Sequence, residues 1–280
     1  MINVKINGKN YEAEKGEYIL QVCRRNRILI PTLCHHDGLP GIGACRLCIV
    51  EVNEGRGNHV VVSCVYPINR DCEVLTESEK IKNIRRTILS MLKTRAPAGD
   101  RLASLCHIYG VSENERFSPP KAHPEKPTAS SSAEKQLASA CVLCGLCAHA
   151  CARLGTGAIA TVGRGVTKGI STPYGEPSAD CVGCGSCAAV CPTKAIECTE
   201  SKGVRSIWGK KYKLIECASC GKAFATEEEY AFAEKTTVAE KASPKDTSLQ
   251  TDAPLCEDCR RKKSADVFAA AFGERTFNEH

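Results

Sequence analysis

The chain has 280 residues, 42% of them hydrophobic and only 5% aromatic, with 38 basic and 32 acidic side chains giving a net charge of +6. Scattered charge of that size excludes the clustered basic and aromatic surface of a nucleic-acid binder, and so little aromatic bulk excludes one large core. Twenty cysteines are the outlying feature. At this density they mean disulfides or metal ligation; residues 1–16 contain no apolar run able to direct export or span a bilayer, so the expectation is a cytoplasmic protein with reduced thiols, metal sites and no membrane span.

Residues 1–14 predict a hairpin: Ile2, Val4 and Ile6 alternate with polar neighbours, Asn7-Gly8 supplies the turn, and Tyr11 and Ala13 continue the return strand. A short helix over 17–25 carries Ile19, Leu20, Val22 and Cys23 on one face. A glycine-rich irregular stretch (Gly38, Gly41, Gly43) follows Pro31, then strand-like runs at 47–52, 59–65 and 72–76. Strands around one helix, with a long loop carrying three cysteines, resemble the beta-grasp ferredoxin fold. The spacing Cys34-x10-Cys45-x2-Cys48-x15-Cys64 provides the four thiolates that a 2Fe-2S cluster requires, and Gly41, Gly43 and Ala44 let backbone amides approach its sulfides. His35 and His36 flank the first of these ligands, as a solvated loop pair or as a means of tuning the cluster.

Residues 78–92 predict a helix with Ile81, Ile84, Ile88, Leu89 and Leu92 on one side and Ser78 as N-cap, and 101–109 a second. Four prolines and a run of three serines mark 117–132 as an extended linker. Two cysteine runs follow, Cys141-x2-Cys144-x2-Cys147-x3-Cys151 and Cys181-x2-Cys184-x2-Cys187-x3-Cys191-Pro192, with Gly145 and Gly185 at the same offset in each. In two-cluster ferredoxins the fourth cysteine of each run serves the other cluster. One 4Fe-4S cluster is therefore expected on Cys141, Cys144, Cys147 and Cys191, and the other on Cys181, Cys184, Cys187 and Cys151.

Residues 201–214 read as a basic strand pair around Trp208. Beyond them Cys217-x2-Cys220 and Cys256-x2-Cys259 form two knuckles separated by 35 residues, with a polar insert at 235–252 and a final helix at 264–272. Four thiolates on one tetrahedron suit a structural Zn2+, and a rubredoxin-type iron would use similar knuckles. Cys23, Cys72, Cys106 and Cys198 remain; Cys23 and Cys198 read as small buried hydrophobes. The expected organisation is α+β: a beta-grasp 2Fe-2S domain at 1–78, a helical segment at 79–116, a linker at 117–137, a ferredoxin-like domain with two 4Fe-4S clusters at 138–200, and a zinc-ribbon-like four-cysteine module with a C-terminal helix at 201–280.

Over roughly residues 2–200 the chain resembles the N-terminal iron-sulfur region of the largest peripheral-arm subunit of respiratory complex I. It is similar also to the diaphorase small subunit of NAD-linked nickel-iron hydrogenases and to the iron-sulfur parts of soluble formate dehydrogenases and iron-only hydrogenases. The resemblance is carried by Gly43-Ala44-Cys45-Arg46-Leu47-Cys48 with Val50-Glu51-Val52, and by the run from Cys141 through Gly155, Ala158-Ile159 and Arg164-Gly165. That family carries a further cluster held by one His and three Cys, whereas the corresponding stretch here has only Cys106 and His107; the resemblance implies that this cluster is absent. It further implies an electron-transfer subunit without a catalytic site of its own, with a flavin/NAD(H) subunit on one side and a hydrogenase or formate dehydrogenase catalytic subunit on the other. Soluble ferredoxin would be a further partner if electrons branch. Competing readings are the iron-sulfur subunit of a fumarate reductase type, whose first two 2Fe-2S cysteines lie closer together, and a metal-stabilised binding protein.

Overall fold

The computed structural model describes residues 1–111, 137, 139–240 and 253–272, and its chain forms two units, Met1–Ser178 with Ser186–Glu197 and Ala179–Gly185 with Cys198–His280. The linker expected at 117–132 lies outside the described residues. Among those residues no helix is long and apolar enough to cross a membrane.

In the first unit, the apolar alternation of the N-terminus produces the hairpin β1 (Ile2–Ile6) and β2 (Lys9–Ala13), turned at Asn7-Gly8 with both residues at positive φ. The remaining strands are β3 (Ile49–Asn53), β4 (Asn58–Val62) and β5 (Cys72–Leu75), in sheet order β2-β1-β5-β3-β4. β1 runs parallel to β5 and every other pair is antiparallel. Helix α1 (Ile19–Arg25) buries Ile19, Leu20, Val22 and Cys23 against this sheet, each large aliphatic contributing roughly 1.5–3 kcal/mol. This is the beta-grasp arrangement, and it leaves the loop from Cys34 to Cys48 lying over one end.

Helix α2 (Glu79–Arg95) begins at Ser78, whose hydroxyl accepts the Ile81 amide at 3.3 Å. Helix α3 (Asp100–Ile108) packs against α2 and buries Leu102 and Cys106. After Cys141 come α4 (Leu146–Leu154), a two-stranded hairpin of β6 (Ala160–Val162) and β7 (Gly169–Ser171), and the short helix α5 (Ser186–Ala189) beside α4. Gly145 caps α4 at φ 82°, a left-handed conformation costly for any residue with a Cβ.

The second unit is built on an antiparallel sheet of β8 (Cys198–Ser201), β9 (Val204–Ile207), β10 (Lys210–Glu216) and β11 (Ala223–Thr226), in the order β11-β10-β9-β8. It is larger than the strand pair expected at 201–214. Trp208 stands in the β9–β10 turn at φ 52°, so the alternation continues on both sides of it instead of centring on it. Helix α6 (Glu227–Glu240) takes in the first residues of the expected polar insert, and 241–252 lie outside the described residues. Helix α7 (Glu257–Phe272) starts seven residues earlier than its apolar pattern indicates, because Glu257 and Asp258 favour the positive end of the helix dipole.

Candidate iron-sulfur and metal sites

None of the 20 cysteines is in a disulfide. Cys34, Cys45, Cys48 and Cys64 are buried and converge from the loop and the end of β4. Cys34 and Cys45 pair through their side chains, as do Cys48 and Cys64. The Cys45 amide reaches Cys34 Sγ at 3.2 Å and the Leu33 amide reaches Cys45 Sγ at 3.5 Å. The thiol of Cys34 and the amides of Leu33 and Leu47 hold Cys45 down to about 6, and contact with Cys64 holds Cys48 down to about 7. Donors aimed at thiolate sulfur are what a cluster ligand needs. Ser63 ties the two halves, its amide and hydroxyl donating to the Cys48 carbonyl at 3.1 and 2.6 Å. Gly41 presses against the loop so closely that a Cβ there would lie 2.5 Å from the Cys64 carbonyl oxygen.

Sequence reasoning missed Arg85. It is fully buried on α2, donating to the carbonyls of Leu47 at 2.9 Å and Ile49 at 2.8 Å, on either side of Cys48, and to the Tyr109 hydroxyl; Glu77 completes its ion pair. Only its burial was legible, since Ile81, Arg85 and Leu89 share one helix face; its partners were not. His35 sits beside Cys34 with Nε2 3.4 Å from Asp37 and its buried Nδ1 without a partner; burial holds its pKa below the ordinary value.

Cys141, Cys144, Cys147 and Cys191 line one small pocket with Leu137, Val142, Ile170, Ala195 and Ile196. The Leu143 amide points to Cys141 Sγ at 3.4 Å and the Ala195 amide to Cys191 Sγ at 3.2 Å. Burial pushes Cys144 up to about 11 and Cys147 up to about 12, so each thiol keeps its proton until a cation replaces it. An apolar pocket lined by four sulfurs with amide donors fits a cubane. Arg95, also missed from sequence, donates to the Lys168 carbonyl at 3.3 Å, and its positive charge acts on Cys141. The 2Fe-2S candidates Cys34 and Cys45 share a single buried apolar cluster with Cys144, Val142 and Leu146, joined by Leu33, Leu47, Leu89 and Leu102.

Of the other expected set, Cys151 on α4 lies 3.2 Å from the Thr156 hydroxyl and Cys187 is buried on α5, both in the first unit. Cys181 and Cys184 belong to the second unit. There the Cys181 carbonyl accepts the Tyr212 hydroxyl at 2.9 Å and Lys210 Nζ at 3.4 Å. Cys23 and Cys72 are buried in the beta-grasp core, where burial pushes their thiols up to about 12 and about 11; Cys106 is buried under α2. Cys198 is half-buried at the start of β8.

Cys217, Cys220, Cys256 and Cys259 bring their sulfurs within 4.8 Å of one another, the only such ligand group among the described residues. Cys220 and Cys256 sulfurs are 3.8 Å apart, the edge of a tetrahedron with metal–sulfur bonds of about 2.3 Å. The set therefore fits one ion and not a multi-iron cluster. The Cys256 amide donates to Cys217 Sγ at 3.3 Å and, with the amides of Cys220 and Ser219, holds Cys217 down to about 6.

Comparison with known proteins finds two iron-sulfur domains along the chain. Residues 1–79 match the 2Fe-2S iron-sulfur cluster binding domain and residues 140–195 the 4Fe-4S dicluster domain. The chain is 31% identical over 214 residues to the NADP-reducing hydrogenase subunit HndD of Solidesulfovibrio fructosivorans, covering 70% of this chain and 36% of that one. It is 31% identical over 182 residues to the NADH-ubiquinone oxidoreductase 75 kDa subunit of Reclinomonas americana, covering 61% and 26%. It thus spans well under half the length of these curated relatives. A solved NAD+-reducing [NiFe]-hydrogenase in the H2-reduced state superposes with a TM-score of 0.50 at 26% identity, covering 61% of this chain and 74% of that one. The chain thus carries a 2Fe-2S domain and a 4Fe-4S dicluster domain, and its homologues include 75 kDa subunits of NADH-quinone oxidoreductases and subunits of NAD(P)-reducing hydrogenases.

Proposed function

We propose that the chain is the iron-sulfur relay of a multi-subunit NAD(P)-linked oxidoreductase, passing electrons between a flavin/NAD(H) subunit and a catalytic subunit, with a hydrogenase as the first choice and a formate dehydrogenase as the second. Bound clusters of these types supply reversible one-electron acceptance. The chain's residues hold and insulate them: Cys34, Cys45, Cys48 and Cys64 for a 2Fe-2S cluster, and Cys141, Cys144, Cys147 and Cys191 for a 4Fe-4S cluster. The spacing of the second run assigns the other 4Fe-4S cluster, and Cys217, Cys220, Cys256 and Cys259 take Zn2+. The observation that carries the reading is the continuous apolar core containing Cys34, Cys45 and Cys144, which keeps water and unpaired charge out of the path from the first ligand set to the second. That continuity favours a relay over a structural role for the clusters.

The test is anaerobic purification followed by metal analysis and spectroscopy. About ten irons and one zinc per chain are expected, with three centres distinguishable by EPR after dithionite reduction. A colourless polypeptide after reconstitution, or clusters that resist reduction, would reject the relay. Hydrogen- against formate-dependent NAD reduction by the co-purified complex then decides the catalytic partner.

A further inference from the structure

The second unit brings the four-cysteine module and the start of the second cysteine run together. Residues 179–185, the start of the second cysteine run, lie on its sheet, and four side chains of that sheet take the loop's carbonyls in turn. Tyr212 and Lys210 of β10 donate to Cys181, Thr226 of β11 donates to Val182 at 2.5 Å, and Arg205 of β9 donates to Gly183 at 2.9 Å. Gly183, at φ 69°, lies so flat on the Tyr212 ring that a Cβ would come within 2.6 Å of it. Tyr212 itself is 1% exposed, and Arg205 is fixed from its other side by Glu200 and Glu229. Each carbonyl from Cys181 to Gly183 thus accepts from a side chain of the sheet.

The same strands are tied together by the four-cysteine site. Cys217 directly follows β10, and its amide donates to the Lys222 carbonyl at 2.9 Å, closing the turn into β11 that carries Cys220. Ala218 is anchored to the Pro254 carbonyl at 2.9 Å, just before Cys256. Cys217 and Cys220 thus bracket the turn that joins β10, which carries Tyr212, to β11, which carries Thr226.

We propose that the four-cysteine module is a metal-dependent clamp on the ligand loop Cys181–Cys184: occupancy of its site by a divalent ion positions that loop, through Tyr212, Thr226 and Arg205, for the 4Fe-4S cluster it serves. These three are positioning residues, acting through the backbone that presents the ligands. The cluster part of the proposal rests on the relay reading above; the coupling of metal to loop does not.

Two measurements on the full chain separate them. In the iron-free protein, hydrogen-deuterium exchange of the amides of 181–185 is followed with and without one equivalent of Zn2+; exchange at least about tenfold slower with the ion is expected. Equal exchange, whether the ion fails to bind or binds without effect on the loop, overturns the proposal. In the reconstituted protein, Tyr212→Phe keeps the ring against Gly183 and removes one hydrogen bond. It should speed chelator-driven loss of a single 4Fe-4S signal roughly fivefold, leaving the 2Fe-2S and the other 4Fe-4S unchanged. Cys220→Ser should do the same more strongly. Loss rates unchanged in both variants, or raised equally for all three centres, overturn it. If the parent chain takes up no 4Fe-4S cluster, the relay reading falls while the exchange experiment still decides the clamp.

Discussion

Arg85 is the residue on which the first cluster loop most depends. A guanidinium with no exposure must be satisfied at every donor, and here two of its acceptors are the carbonyls flanking Cys48. Arg85→Met would leave those carbonyls and Glu77 without their partner. A loss of about 2–4 kcal/mol is expected, seen as a fall in thermal midpoint, and Arg85→Lys should recover little because an ammonium cannot reproduce the fork. Gly41 acts by the absence of a side chain. Gly41→Ala drives a methyl into the Cys64 carbonyl, so the loop must shift, and destabilisation of about 1–3 kcal/mol with weakened 2Fe-2S retention on gel filtration is the expected result. Neither residue belongs to the cysteine pattern. Gly41 could be placed near the cluster from its sequence position, but Arg85 could not, since its partners lie 36 and 38 residues away.

At the scale of elements, α2 joins the beta-grasp sheet to the remainder of its unit, and its start is set by a small polar cluster. Glu51 on β3 accepts from Ser78, the N-cap, and pairs with Lys80 at 3.3 Å. The Ser78 hydroxyl, and then Lys80, hold the Glu51 carboxyl below its ordinary value of 4.5. A depressed folded-state value means that the ionised form favours the fold, so this stabilisation is complete above the unfolded value and is lost as pH falls through the folded one. Denaturant titrations from about pH 6 downward should show stability falling more steeply in the parent than in Glu51→Gln; parallel curves would refute the assignment. The helix itself was legible as an apolar stripe capped by Ser78. The four-stranded sheet was legible only in part, because Lys202-Gly203 and Trp208-Gly209 both act as left-handed turns and only glycine advertises that in a sequence.

For the whole molecule, the expected crossing of ligands between the two cysteine runs sets what Cys191 holds. Cys191→Ser should remove the 4Fe-4S cluster of Cys141, Cys144 and Cys147, lowering iron by about four per chain, while the 2Fe-2S spectrum persists. Retention of all iron would refute the assignment. Stability in a chain so poor in aromatic bulk should also depend on its inorganic contents, since the buried thiols of Cys144 and Cys147, held above their ordinary value, exchange protons for cations on loading.

What the sequence determined by itself is the inventory: sixteen cysteines in three spacing patterns, and with them the 2Fe-2S and 4Fe-4S dicluster domains, because ligand spacing is local and a metal admits few geometries. Tertiary structure alone decided how those centres are served. It placed Arg85 behind Cys48, put Cys45 and Cys144 into one apolar core, and set the strands of the four-cysteine module around the Cys181 loop. Each of these joins residues distant along the chain through backbone carbonyls or packed side chains, and such contacts leave no periodicity or spacing for a sequence to display.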